Sequence, residues 1–166
     1  MKFELKPISR EAIPEALEKV KRYRLLNEPS HAESICLDIL NIEPQNQQAL
    51  VMLLLALTDQ FSDGVSPGRA REVAAQLKGE YDREYYNGMI WERSAQALLR
   101  RGAPNASFAA YDAYLKAMEY YERAQRLRAH GNDDSILRWN SCARVLNGNP
   151  NLREHPEDEF TPLLNE

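Results

Sequence analysis

An all-α fold is what the sequence predicts, and three observations predict it. Alanine, leucine, glutamate and arginine dominate a chain of 166 residues that holds only seven glycines, and those residue types lose little on entering a helix. Apolar positions recur at helical spacing, as Ala32, Ile35, Cys36 and Ile39 do, while no period-two alternation of any length appears. Pro, Ser, Asn and Gly punctuate the chain at intervals that leave about seven helical segments.

Each segment carries its own signals. The first helix begins near Pro14, a residue suited to an opening turn, and runs to about Leu26. Ser30 and Glu33 read as a capping box that starts the second. "IEPQNQQAL" ends that helix and starts a third, which continues through Asp59. Ser66 followed by Pro67 predicts the cap and first residue of a fourth helix, ending around Gly79. The fifth, "YDREYYNGMIWERSAQALLRR", stops at Gly102, and Asn105 is placed to cap a long sixth helix reaching Ala129. Gly131 is a stop, Asn132 or Asp133 a cap, and the seventh helix ends near Gly148. Short turns between such helices favour antiparallel neighbours.

The chain is long enough for one domain with a sizeable core. A net charge of −4 and a pI near 5.5 argue against a bulk electrostatic grip on nucleic acid or anionic lipid, so neither is expected as a partner. The longest apolar run, "ALVMLLLAL" at 49–57, is too short to span a bilayer. "MKFELKPISREAIPEAL" lacks a continuous apolar export signal, and Cys36 and Cys142 read as free thiols, so a cytoplasmic location is expected. His31, His130 and His155 lie on different elements, and no Cys-x-x-Cys or His-Glu-x-x-His spacing is present. Neither a phosphate-cradling glycine loop nor a Gly-x-Ser-x-Gly elbow occurs. No metal, cofactor or catalytic residue is therefore assigned, and a non-enzymatic role is expected.

A repeat test is more informative. Tyr23, Leu57 and Trp91 are spaced 34 residues apart, and so are Val20, Leu54 and Gly88. Tyr23, Ala32, Cys36, Ile39 and Pro44 fill one helix–turn–helix unit, and Ala117, Tyr121 and Ala124 repeat a small-large-small pattern. This spacing and these positions resemble the tetratricopeptide repeat over residues 12–147, followed by an acidic tail at 148–166. Two departures stand out: extra residues in the Asp63–Gly68 turn, and a third unit stretched by long fifth and sixth helices. The resemblance implies an α–α superhelix of antiparallel helix pairs with a concave groove that binds a protein or peptide. It also implies packing roles for Tyr85, Trp91, Tyr114 and Tyr121, which leaves Tyr81, Tyr86, Tyr111 and Tyr120 for contacts. The lysine–asparagine pattern by which some relatives hold a C-terminal carboxylate is missing: Leu17, Lys21, Met52, Asp82 and Tyr86 stand at the aligned positions.

In this alignment Leu50, Leu53, Leu54 and Leu57 pack against neighbouring helices. Val51 and Leu55, an i,i+4 pair, would project into the groove. Leaving both wet forgoes roughly 1.5–3 kcal/mol each, so a cover is expected: a partner peptide, a second copy, or a segment of this chain. The alternative is a helix buried on all sides within its own domain. Candidate groove contacts are Lys21, Arg24, Val51, Leu55, Asp59, Met89 and Arg93, with Arg138 and Arg144 at the C-terminal end. In the tail, Phe160, Leu163 and Leu164 form an apolar cluster behind Glu154, Glu157, Asp158 and Glu159, for which self-docking and a solvated tail are both open. Asp134 and Arg138 are spaced for an on-helix ion pair, and Trp139 reads as a seal on the array's end. The expected function is an interaction module, a scaffold or adaptor. The alternatives are a small chaperone shielding an apolar partner segment and an RNA-binding helical array.

Overall fold

A computed structural model describes residues 2–156, and within them the chain folds into α-helices joined by turns. The helices are α1 (Ile13–Leu25), α2 (Pro29–Ile42), α3 (Gln47–Thr58), α4 (Pro67–Ala74), α5 (Glu80–Arg101), α6 (Ala106–Leu127) and α7 (Asp134–Gly148). Single 3-10 turns at Arg10–Ala12 and Phe61–Asp63 precede α1 and α4. No strand occurs among the described residues, and Phe160, Leu163 and Leu164 lie outside them.

Most boundaries follow the local chemistry. Asn46 caps α3 by accepting from the Ala49 N–H at 2.9 Å, and Ser66 caps α4 through the Gly68 N–H at 3.2 Å. Gly102 and Gly131 adopt left-handed φ values of 63° and 84°, conformations that end α5 and precede α7. The Asn132 side chain accepts from the Asp134 N–H at 3.1 Å, although Asp133 is the residue at the cap position.

Three expectations fail locally. The capping box at Ser30 does not form: α2 opens at Pro29, already preset for a first turn, and Glu33 turns outward to Arg69 at 2.6 Å and Gln60 at 2.8 Å. Asn105 sits in a left-handed conformation with φ 62° and makes no side-chain cap. α4 ends at Ala74, and Leu77 beyond it is buried, so the stretch before Gly79 packs without continuing the helix.

Each helix packs on the next, and α1 also touches α3, as α3 touches α5. The odd-numbered helices of this half therefore lie side by side. Val20, Cys36, Leu50, Leu53, Leu54, Leu57, Phe61 and Ile90 form the first core, spanning α1 to α5. Ile13, Leu17, Ile39 and Ala49 make a smaller cluster beside it. A second core, between α5, α6 and α7, is built on Met89, Tyr114, Tyr121 and Cys142, with Leu152 from beyond α7 added. Leu55 and Tyr86 pack against both cores.

The α5–α6 hairpin is the most extensive helix–helix contact among the described residues. Ala110, Ala113, Ala117 and Ala124 are buried along α6, and small side chains let two helix axes approach. Tyr121 lies over Gly88 so tightly that a Cβ on Gly88 would sit 2.6 Å from the ring.

Both cysteines are fully buried free thiols. Burial pushes each thiol up to about 12, which keeps them protonated and unreactive near neutrality. Neither thiol is expected to react with an aromatic disulfide reagent at pH 8 in the folded protein, and both are expected to react in urea. Because unfolded thiols ionise first, this contribution to stability is intact below about pH 9 and is lost as pH rises toward 12.

Candidate functional site

The end of α3 places its cap residue, Asp59, between α1 and α5. Its carboxylate accepts two hydrogen bonds from Arg24, Nε to Oδ2 at 2.7 Å and Nη2 to Oδ1 at 3.2 Å. Arg93 on α5 donates Nη1 to Oδ1 at 2.8 Å from the other side. The three side chains are 22%, 19% and 26% exposed, dry enough for these charge-assisted bonds to outweigh those of an open surface pair. Arginine is favoured here because its planar fork matches the carboxylate, and because the C-terminal ends of α1 and α3 carry partial negative charge.

Three of the expected groove residues are thus brought together, one each from α1, the cap of α3 and α5. Val51 and Leu55 precede Asp59 at successive i,i+4 steps of α3, and both are partly buried against core residues. They are neither open to solvent nor sealed inside. Leu50, Leu53, Leu54 and Leu57 are buried. Lys21 is exposed on α1, where it pairs with Glu18 at 2.8 Å.

The remaining candidates fall elsewhere. Met89 is buried at 4% exposure in the second core, because its position on α5 faces α6 and cannot present a groove contact. Arg138 makes no pair with Asp134 and instead reaches Glu92 on α5, Nη1 to Oε2 at 3.5 Å. Arg144 is exposed on α7 and forms no ion pair among the described residues. Trp139 is partly buried, with its ring nitrogen donating to Glu122 at 3.1 Å.

Glu92 was not foreseen. Its carboxylate is 3% exposed, accepts from the Tyr121 hydroxyl at 2.5 Å and faces Arg138. Burial works most strongly against the charge on Arg138, but the Glu92 carboxylate acting together with Tyr121 and Tyr85 outweighs it and raises its pKa. Burial likewise raises the Tyr121 phenol far beyond its usual range, with the Glu92 charge adding to the effect. One signal was available: Gly88, Glu92 and Ala95 share a helical phase with the core.

Among the tyrosines, Tyr114 and Tyr121 are core, while Tyr81, Tyr85 and Tyr86 form a ring cluster along the first turns of α5, with centroids 5.1–5.7 Å apart. Tyr120 lies beneath the Arg123 guanidinium at 4.4 Å. No group of three or more potential metal ligands comes together among the described residues, and no helix there is long and apolar enough to cross a membrane. The chain matches no protein-family model, no curated protein and no solved structure.

Proposed function

We infer that this protein is a non-enzymatic interaction module of the tetratricopeptide type, which captures a peptide on the face shared by α1, α3 and α5. One observation carries this reading. Arg24 from α1, Asp59 from the cap of α3 and Arg93 from α5 meet at similar depth on three neighbouring helices, beside apolar side chains left partly uncovered. Neighbouring helices that each contribute side chains to one surface are how a solenoid builds an extended recognition face. Val51 and Leu55 supply area that gains from further burial, and the charges beside them supply orientation.

Selection of a random peptide library against the full chain tests it. Enriched peptides are expected to bind Val51→Ser/Leu55→Ser at least tenfold more weakly, a loss of about 1.4 kcal/mol, while its circular dichroism stays helical. Equal binding by the variant, or a library that yields no binder, would overturn the reading. A variant that unfolds would assign both side chains to the core and end it as well.

A further inference from the structure

Phe61 and Ala97 separate two cavities of opposite character beside the C-terminal half of α5. The first, of about 220 Å³, is lined by Arg24, Asp59, Arg93 and Arg100 together with Asn27 and Gln96. Asp59 is one negative charge between two guanidiniums, and Arg100 adds a further positive charge with no ion pair among the described residues. Arg24 commits two N–H groups to Asp59 and Arg93 commits one, whereas each guanidinium carries five. The cavity is thus a pre-arranged set of donors with surplus positive charge. Asp59 holds the Arg24 and Arg93 guanidinium planes, so little of their side-chain entropy remains to be lost on binding an anion, and the exposed Arg100 stands beside them.

The second cavity, of about 240 Å³, is lined by Val65, Pro67, Leu98 and the Phe61 ring. Arg101 donates Nη2 to the Phe61 carbonyl at 2.5 Å, tying the end of α5 to the linker that forms the shared wall. A polar pocket and an apolar pocket therefore adjoin across a fixed partition.

We propose that these two cavities form one bipartite site for a peptide segment in which an Asp or Glu side chain lies next to an aromatic or aliphatic one. The carboxylate pairs with Arg93 and Arg100, and the apolar side chain enters the pocket at Val65 and Leu98. This rests on the peptide-binding reading above and adds the chemistry of the partner. The net charge of the chain is −4, so overall charge opposes an acidic segment and this locally positive spot favours it. That contrast supplies selectivity as well as affinity.

The test uses the full chain and fluorescein-labelled peptides with an Asp-Glu-Phe core, compared with Asn-Gln-Phe and Asp-Glu-Ala cores by fluorescence anisotropy. The Asp-Glu-Phe peptide is expected to bind, and each altered peptide to bind at least tenfold more weakly. Arg100→Glu is expected to weaken the acidic peptide at least tenfold, to favour a Lys-Lys-Phe core, and to melt like the wild type. No binding, equal affinity for all three cores, or indifference to Arg100→Glu would each overturn the proposal. Residues 157–160 read Glu-Asp-Glu-Phe. Binding seen only after Glu157, Asp158 and Glu159 are replaced by Lys would make the chain's own segment the occupant and overturn the assignment to a partner. If Val51→Ser/Leu55→Ser abolishes binding while Arg100→Glu does not, the peptide-binding face survives and the bipartite site falls. If neither variant matters, both fall.

Discussion

Gly88→Ala is expected to destabilise the protein by about 2–3 kcal/mol, although alanine is the better helix former by about 1 kcal/mol. The added methyl would lie 2.6 Å from Tyr121 Cε1 and 2.7 Å from Cδ1. Real Cβ atoms do not come so near, so the ring or a helix must move. The ring has little freedom: it is fully buried, and its hydroxyl is held by Glu92 at 2.5 Å. The loss is therefore an overpacking loss within the most extensive helix interface of the described residues. For a chain of this size it lowers the melting temperature by roughly 5–10 °C. Urea denaturation of Gly88→Ala, Tyr121→Ala and the double variant provides the check, since the double variant should be more stable than the sum of the two losses implies. A Gly88→Ala protein as stable as the wild type would mean that the α5–α6 contact yields easily.

Glu92→Ala has the largest expected effect of a polar substitution, on the order of 3 kcal/mol. It strands the Tyr121 hydroxyl without an acceptor and leaves Arg138 without its counter-charge. Arg138 keeps a third of its side chain in contact with solvent, which moderates the loss relative to a fully buried pair. Tyr121→Phe removes only a donor and is expected to cost less, about 1 kcal/mol. The triple change Glu92→Leu, Tyr121→Phe and Arg138→Met removes every polar partner together, and should regain most of the loss. Equilibrium unfolding of the set decides the matter: a triple variant no more stable than Glu92→Ala would show that packing, and not stranded charge, sets the penalty.

The positions of the helices were largely legible because their punctuation is local. Asn46, Ser66 with Pro67, Gly102 and Gly131 act within a few residues of themselves, and each has the role its type predicts. Ser30 and Glu33 misled because Pro29 had already opened α2 and because Glu33 has distant partners, Gln60 and Arg69. The same distinction separates the candidate site into parts. Arg24, Asp59 and Arg93 could be named because each lies near the end or on the exposed flank of an adjacent predicted helix, so short turns between antiparallel helices bring them to one face. Met89 could not, since which flank of α5 meets α6 depends on a hairpin that packs through alanines and Gly88. For Arg138 the spacing permits a pair with the near neighbour Asp134, and the structure gives it Glu92 from 46 residues away. Sequence spacing always offers an on-helix partner, but only the meeting of α5 and α7 in the fold shows the tertiary one that Arg138 takes.

Glu92 and Arg93 are consecutive, yet one is bound to the helices that follow α5 and the other to those that precede it. A single helical turn thus serves as the axle on which both halves of the molecule are keyed. Rotation of α5 about its own axis in either direction would strain the two attachments together, so the halves share one orientation and neither can swivel freely against the other.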